Sequence, residues 1–365
     1  MRIMYLCPWK LLKVEFPATE YPKTEFGYYT MKRQGIDITP YTPSREGWKA
    51  LLWNVKPHLF GALFTQLGCL RHQKECDIIY IGFDMHILPL AIVKALYLCK
   101  RPIFVLSHFT YNQTYTKSRW KKWYKKIERR FVFKYIDRIS FANEQLLKIA
   151  IGGGKVPTRQ NHTANWGANL DFYDRHIYSI PPAEDFFMAA GGMNRDYGTL
   201  IKAFKVLQEA KLQVFAKYRD YTKGQEIPDN VEFKNLMDGN DYVTAHKLLR
   251  DSYYNCIAVL LPIDYINDVP NGATVLVEAL AMGKPIIITE ADTNYIDVEK
   301  EGCGLTVKSH DVQDWVRVLS FILTHPTERR QMGERSYMLA KKKYNDDNFV
   351  KTITAQMNDL ISDKN

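Results

Sequence analysis

Short apolar runs alternate with stretches of helical length along nearly the whole chain, and that alternation limits the folds open to it. RIMYL (2–6), IIYIGF (78–83) and PIFVLSHF (102–109) are strand-length and almost wholly apolar, as strands buried on both faces of a parallel sheet are. Between the last two lies LPLAIVKALYLCK (88–100), apolar nearly all round, which reads as a helix packed on that sheet. IDRISFANEQLLKIA (136–150) is a further strand-then-helix unit, with Ser140 or Asn143 as the cap. At YSIPPAEDF (178–186) Pro181 and Pro182 interrupt strand and helix alike. The alternation then restarts with FFMAAGG (186–192), a helix over 197–210 and a strand over 212–216. A helix over 245–253, a strand over 256–263, a helix over 274–283 and a strand over 285–289 continue it. Two helical stretches, 326–344 and 346–362, end the chain.

The pattern predicts an α/β protein of two doubly wound, Rossmann-like domains facing a central cleft, 1–177 and 186–344. A linker over 178–185 joins them, and 345–365 form a final helix. The 365 residues are too many for one compact core, and 46% apolar content excludes a disordered chain. No run of 18 apolar residues exists to cross a bilayer. MRIMYLCPWK reads as a first strand rather than a signal peptide. The six cysteines lack metal or CxxC spacing, so a reduced cytoplasmic protein without disulfides or zinc is expected. Neither half carries GxGxxG after its first strand, which argues against a dinucleotide dehydrogenase.

The segment with most chemistry in it is NGATVLVEALAMGKPII (271–287). Asn271, Gly272 and Ala273 are small enough for their amides to approach a ligand, and the helix that starts near Thr274 offers free N–H groups and a positive dipole end. That is a seat for a diphosphate. Glu278 stands alone among apolar residues on the face of Thr274, about 6 Å further along the axis. The offset suits a carboxylate that accepts ribose hydroxyls; the plainer alternative is a solvated or ion-paired glutamate at a helix edge.

These residues resemble the retaining glycosyltransferase family 4 of the GT-B glycosyltransferases. Its signature is a Glu, seven residues, a second Glu, then Ala-hydrophobic-Ala-x-Gly-x-Pro, and Glu278-Ala-Leu-Ala-Met-Gly-Lys-Pro285 is similar to the second half. The resemblance implies that Glu278 holds the donor ribose. The first Glu would fall at Pro270, a departure that bears on recognition of the donor sugar. GGMNRDYGTLIKAF (191–204) looks like the family's glycine-ended strand, followed by the basic residue that contacts the diphosphate. By position that residue is Arg195, with Lys217 after the next strand as a second. NWGANLDFYD (165–174) is similar to the segment that closes the N-terminal domain. SHFTYN (107–112) puts His108 at a strand end, where the family carries a His facing the reacting sugar.

The net charge of +10 is concentrated. Between Lys117 and Lys134 lie nine Lys/Arg and one Glu. Trp120, Trp123, Tyr124, Ile127 and Phe131 recur at helical spacing there, with Lys121, Lys122, Lys125, Lys126, Arg129 and Arg130 around them. Such a helix suits an anionic membrane surface; a packed helix with an aromatic core stripe is the bland alternative, and no nucleic-acid module accompanies it.

The expected activity is transfer of a sugar from a nucleoside diphosphate donor, UDP or GDP, to a glycan or lipid-linked acceptor in envelope or exopolysaccharide synthesis. The resemblance implies retention of configuration and a final helix that crosses back to the N-terminal domain. No cofactor or metal is expected, since Asp-x-Asp is lacking. A catalytically weak carbohydrate- or membrane-binding protein and a nucleotide-sugar epimerase of the same fold remain the rival readings.

Overall fold

The computed structural model describes residues 1–6, 17–20, 22, 25–41, 57–84, 87–109, 118–153, 156–192, 194–216, 224, 226–236, 238–264, 271–292 and 294–363. Two parallel sheets of six strands each organise them. The first contains β1 (Ile3–Leu6), β2 (Ile38–Tyr41), β3 (Ile78–Ile81), β4 (Ile103–Ser107), β5 (Arg138–Phe141) and β6 (His162–Thr163), in the order β2-β1-β3-β4-β5-β6. The second contains β7 (Phe187–Ala190), β8 (Leu212–Phe215), β9 (Val231–Lys234), β10 (Val259–Leu261), β11 (Ile286–Thr289) and β12 (Gly304–Val307), in the order β12-β11-β10-β7-β8-β9. Each order reverses beside its first strand, the switch point where α/β proteins bind ligands at the carboxyl ends of their strands.

Helices cover both sheets. The first has α1 (Tyr28–Arg33), α2 (Pro57–Gly68), α3 (Leu88–Ala95), α4 (Arg119–Tyr135) and α5 (Glu144–Gly152). The second has α6 (Tyr197–Val206), α7 (Tyr242–Asn255), α8 (Ala273–Ala281), α9 (Val312–Thr324) and α10 (Pro326–Lys342). Tyr5, Tyr80, Phe104 and Phe141 are buried in the first core, and Trp315 anchors α9 under the second sheet. Cys69, Cys76, Cys99, Cys256 and Cys303 are buried free thiols that act as small apolar residues in these cores.

The apolar run 88–100 is not one helix. α3 ends at Ala95, because Tyr97 adopts a left-handed φ of 57° and Leu98 N–H closes back on the Val93 carbonyl at 3.1 Å. This is the six-residue closure that ends many helices, made with tyrosine where glycine is usual. It leaves Leu96, Tyr97 and Leu98 exposed.

The chain passes between the two halves twice, and the two passes touch. Ala168 N–H donates to Tyr344 O (3.1 Å), and Asp346 N–H donates to Ala168 O (3.0 Å). Ala164 packs in the first core, whereas Ala168, Phe172 and Tyr173 already pack in the second. The packing therefore changes over ahead of Pro181 and Pro182, whose segment runs along the end of α7: Tyr178 stacks on Tyr254 at 3.8 Å. After the second pass α11 (Asp346–Ser362) inserts Phe349, Val350, Ile353, Met357 and Leu360 into the first core.

Gly167 is where the passes meet. A Cβ on it would overlap the Tyr344 carbonyl carbon and the Asn345 nitrogen, both backbone atoms with no rotamer to yield. Gly167→Ala is expected to lower stability by about 3 kcal/mol, the upper part of the usual overpacking range. Urea denaturation measures it, and a loss below ~0.5 kcal/mol would show that the crossing yields freely.

Candidate functional site

β10 carries the chain to the cleft, and after a loop α8 starts with Gly272 as its N-cap at φ 81°, in the left-handed region. No side chain caps α8, whereas Asn143, Asp196, Asp241, Asp311 and Asn345 cap α5, α6, α7, α9 and α11. The first bond of its ladder runs from Leu276 N–H to Gly272 O (2.9 Å), so the amides of Ala273, Thr274 and Val275 precede it. Together with the dipole they form an electropositive patch on the cavity wall.

Arg195 lies against this helix start. Its guanidinium is wedged between two glycines: a Cβ on Gly191 would meet Nη2 at 3.0 Å, and one on Gly272 at 3.2 Å. Both glycines have positive φ, 97° and 81°. Nε donates to Ala190 O (3.3 Å), and the Arg195 backbone bridges to Ile263 beside β10. The chain positions of GG and NG, 80 residues apart, are thus parts of one cation seat.

Glu278 is 8% exposed, and each of its oxygens accepts one tyrosine hydroxyl, Tyr173 at 2.7 Å and Tyr253 at 2.8 Å. Burial raises its pKa from 4.5 to about 7, and the two hydroxyls oppose that rise. The solvated edge position is excluded: Glu278 is buried and held by hydroxyls rather than by a cation. Tyr173 comes from the 165–174 segment and Tyr253 from α7, so three parts of the chain fix this carboxylate.

His108 follows β4. Its Nε2 lies 3.1 Å from Gly82 O, and since a carbonyl only accepts, Nε2 carries the proton. Phe83 stacks on the ring at 5.0 Å and Phe26 tilts against it at 4.8 Å. This desolvation pushes its pKa from 6.5 down to about 4, so the imidazole is neutral at physiological pH. Behind it Asp84, buried, accepts His108 N–H (3.0 Å) and Ser107 Oγ–H (2.5 Å), which sets the turn that aims the ring.

Two adjoining cavities gather these groups. One of about 430 Å³ is lined by His108, Phe83 and Phe109 on one side and by Arg195 and 271–275 on the other. The second, of about 260 Å³, is lined by Thr274, Glu278, Tyr173, Tyr242 and His246, with Phe26 from the first half. Thr274 and Trp166 line both. His108, Arg195, Asn271, Gly272, Ala273 and Thr274 therefore share one cavity, and Glu278 reaches its neighbour. Lys217 and Pro270 lie outside the described residues.

The basic helix α4 lies apart from both cavities. Trp120 and Trp123 are 67% and 53% exposed and stack on each other at 4.8 Å, among exposed Lys122, Lys126 and Arg130. Lys125 pairs with buried Glu128 (2.6 Å), Arg129 is half-buried, and the side chain of Lys121 is outside the described residues. The single aromatic stripe divides here. Tyr124, Ile127 and Phe131 are partly covered, while the first turn carries both tryptophans into solvent.

Asp84, Tyr173, Tyr253 and Trp166 escaped the sequence reading. Tyr173 and Trp166 lie inside NWGANLDFYD, so that segment was the one available signal; nothing local marks Asp84 or Tyr253 as site residues.

A titration follows from Glu278. Its folded pKa lies above the unfolded value, so its contribution is fully present below about pH 4.5 and is lost as pH rises through about 7. Glu278→Gln cannot ionise. Its melting temperature relative to wild type is expected to rise steadily between pH 4.5 and 7, as scanning calorimetry at several pH values would show. A constant difference across that window would mean that Glu278 titrates normally.

Residues 186–338 match the family model described as glycosyl transferases group 1. No curated protein matches the chain. Among solved structures it is similar to alpha,alpha-trehalose 6-phosphate synthase from Burkholderia multivorans, with TM-score 0.68 and 12% identity over 100% of this chain and 97% of that one. It is also similar to a glycosyltransferase from Rickettsia africae ESF-5, with TM-score 0.66 and 13% identity over 99% and 98%. A third is HepE from Anabaena in complex with UDP-glucose, with TM-score 0.65 and 12% identity over 98% and 100%. At such identities the likeness concerns the fold. The chain has the GT-B fold, and its residues 186–338 match the glycosyl transferases group 1 model.

Proposed function

We propose that the protein transfers a sugar from a nucleoside diphosphate donor, UDP or GDP, to a glycan or lipid-linked acceptor, with retention of configuration. The observation that carries this reading is the Arg195 guanidinium wedged between Gly191 and Gly272 beside the uncapped start of α8. A preset cation and helix amides stabilise the charge that develops on a departing diphosphate without reorganising. Glu278 then accepts ribose hydroxyls in the adjoining cavity, and the UDP-glucose held by HepE supports a uridine donor.

Across the cavity Phe83, Phe109 and Leu146 form an apolar wall that excludes water from the reacting sugar. Neutral His108 keeps no proton to give from a charged ring, and its Nε2–H is engaged by Gly82 O. Its role is to shape the sugar's surroundings. The acceptor's proton passes to the departing diphosphate oxygen as the acceptor attacks the face that the diphosphate leaves, which retains configuration. Arg195 and the amides supply the positive charge here, so the proposed reaction needs no metal, and Lys217 would be a second cation.

α4 follows β4, the strand that delivers His108. Exposed Trp120 and Trp123 with Lys122, Lys126 and Arg130 suit the headgroup region of an anionic bilayer, and would hold the enzyme peripherally where a lipid-linked acceptor enters.

A thermal-shift panel of UDP- and GDP-sugars tests the donor: at least one is expected to raise the melting temperature, and stabilisation by none contradicts the proposal. With that donor, Arg195→Ala is expected to lower kcat roughly 10²–10³-fold, the loss typical of one group that stabilises developing charge. EDTA should leave the wild-type rate unchanged. Sugar interconversion without any acceptor would instead favour the epimerase, and binding without turnover the binding protein. In vesicle co-sedimentation, replacing Trp120 and Trp123 by Ala should release the protein from anionic but not alter its indifference to neutral bilayers.

A further inference from the structure

Among the described residues Trp166 is the one tryptophan that lines these cavities, and the proposed chemistry leaves it unused. Its indole Nε1–H is buried and finds no acceptor among the described residues. Indole N–H is a donor only, and a buried donor without a partner is uncommon in a folded protein. The residue is not loosely held. Its amide donates to Ala142 O (3.3 Å), its carbonyl accepts Tyr295 Oη–H (2.7 Å), and its ring packs against both cores, 6.0 Å from Phe26. Its backbone is thus tied to both halves of the molecule.

Among the described residues Trp166 and Thr274 are the two that line both cavities. They form the waist between the Glu278 side and the His108 side. If ribose sits at Glu278 and the sugar faces His108, the part of the donor at the waist is the diphosphate. On one wall of the waist Thr274 belongs to the uncapped first turn of α8; on the other is the Trp166 ring, whose buried N–H lacks an acceptor. Phosphate oxygens are anionic acceptors and take N–H donors strongly.

We infer that Trp166 Nε1–H donates a hydrogen bond to a diphosphate oxygen of the bound donor. The inference rests on the nucleotide reading above and adds a recognition residue from the first half of the chain. Donor binding would thereby draw both halves onto one diphosphate: Arg195 and the α8 amides from the second, Trp166 from the first.

The 365-residue chain labelled with ¹⁵N-tryptophan gives seven indole resonances, one per tryptophan, and Trp166→Phe or Trp166→Tyr identifies that of Trp166 by its loss. UDP is expected to move this resonance downfield, with uridine leaving it in place. Trp166→Phe should weaken UDP binding about tenfold, as loss of one hydrogen bond to a charged group does, without changing the affinity for uridine. The wild-type spectrum carries the test even where Trp166→Phe fails to fold, since Trp166→Tyr then serves for assignment. An unmoved Trp166 resonance in UDP-saturated protein, or equal losses for UDP and uridine, overturns the inference alone. Failure of both UDP and GDP to bind wild-type protein overturns the donor reading beneath it.

Discussion

A buried carboxylate has to be held, and Tyr173 and Tyr253 are brought together from two parts of the chain to hold Glu278. Removing a carboxylate from water costs several kcal/mol unless hydrogen bonds replace the lost hydration. Tyr173 and Tyr253 supply one hydroxyl to each oxygen, yet the pKa still rises to about 7, so desolvation outweighs the two bonds. The group sits near its midpoint at neutral pH, with a cavity beside it. Ribose hydroxyls would add the further donors that favour its charged form. An ion-paired glutamate would have no such reserve.

The same helix serves at both its working positions because its start is open. Gly272 takes a left-handed conformation that a capping Asp or Asn could also adopt, but any Cβ there would press on Leu261 and Ile263 and then on Arg195. Glycine at 272 and at 191 thus gives the guanidinium room. Ligand site and fold are joined through Tyr173 as well: the residues that follow the Gly167 crossing lead straight into the support of Glu278. Positions in the crossing and in the site are therefore not independent.

The central strands were legible and the edge strands were not. β1, β3, β4, β7, β10 and β11 are buried along their whole length and stand out as apolar runs. β2, β6, β9 and β12 form the four outer edges of the two sheets, and their burial is broken by exposed or half-buried residues, with Pro40 inside β2. One-sided strands of two to four residues have no period to read. The site divided in a similar way. Glu278 stood out because it is a lone charge in an apolar helix, and the glycines because they precede one. Asp84, Tyr253 and Trp166 are placed by tertiary contacts across 24 to 129 residues, for which no local pattern exists.

The two-cavity arrangement predicts where each part of a donor rests, and a crystal structure with bound nucleoside diphosphate reads that directly. The account predicts ribose hydroxyls within hydrogen-bond distance of Glu278 and the diphosphate between the amides of 273–275 and Arg195. A nucleotide bound elsewhere, or one in this cleft with its ribose turned away from Glu278, would contradict it.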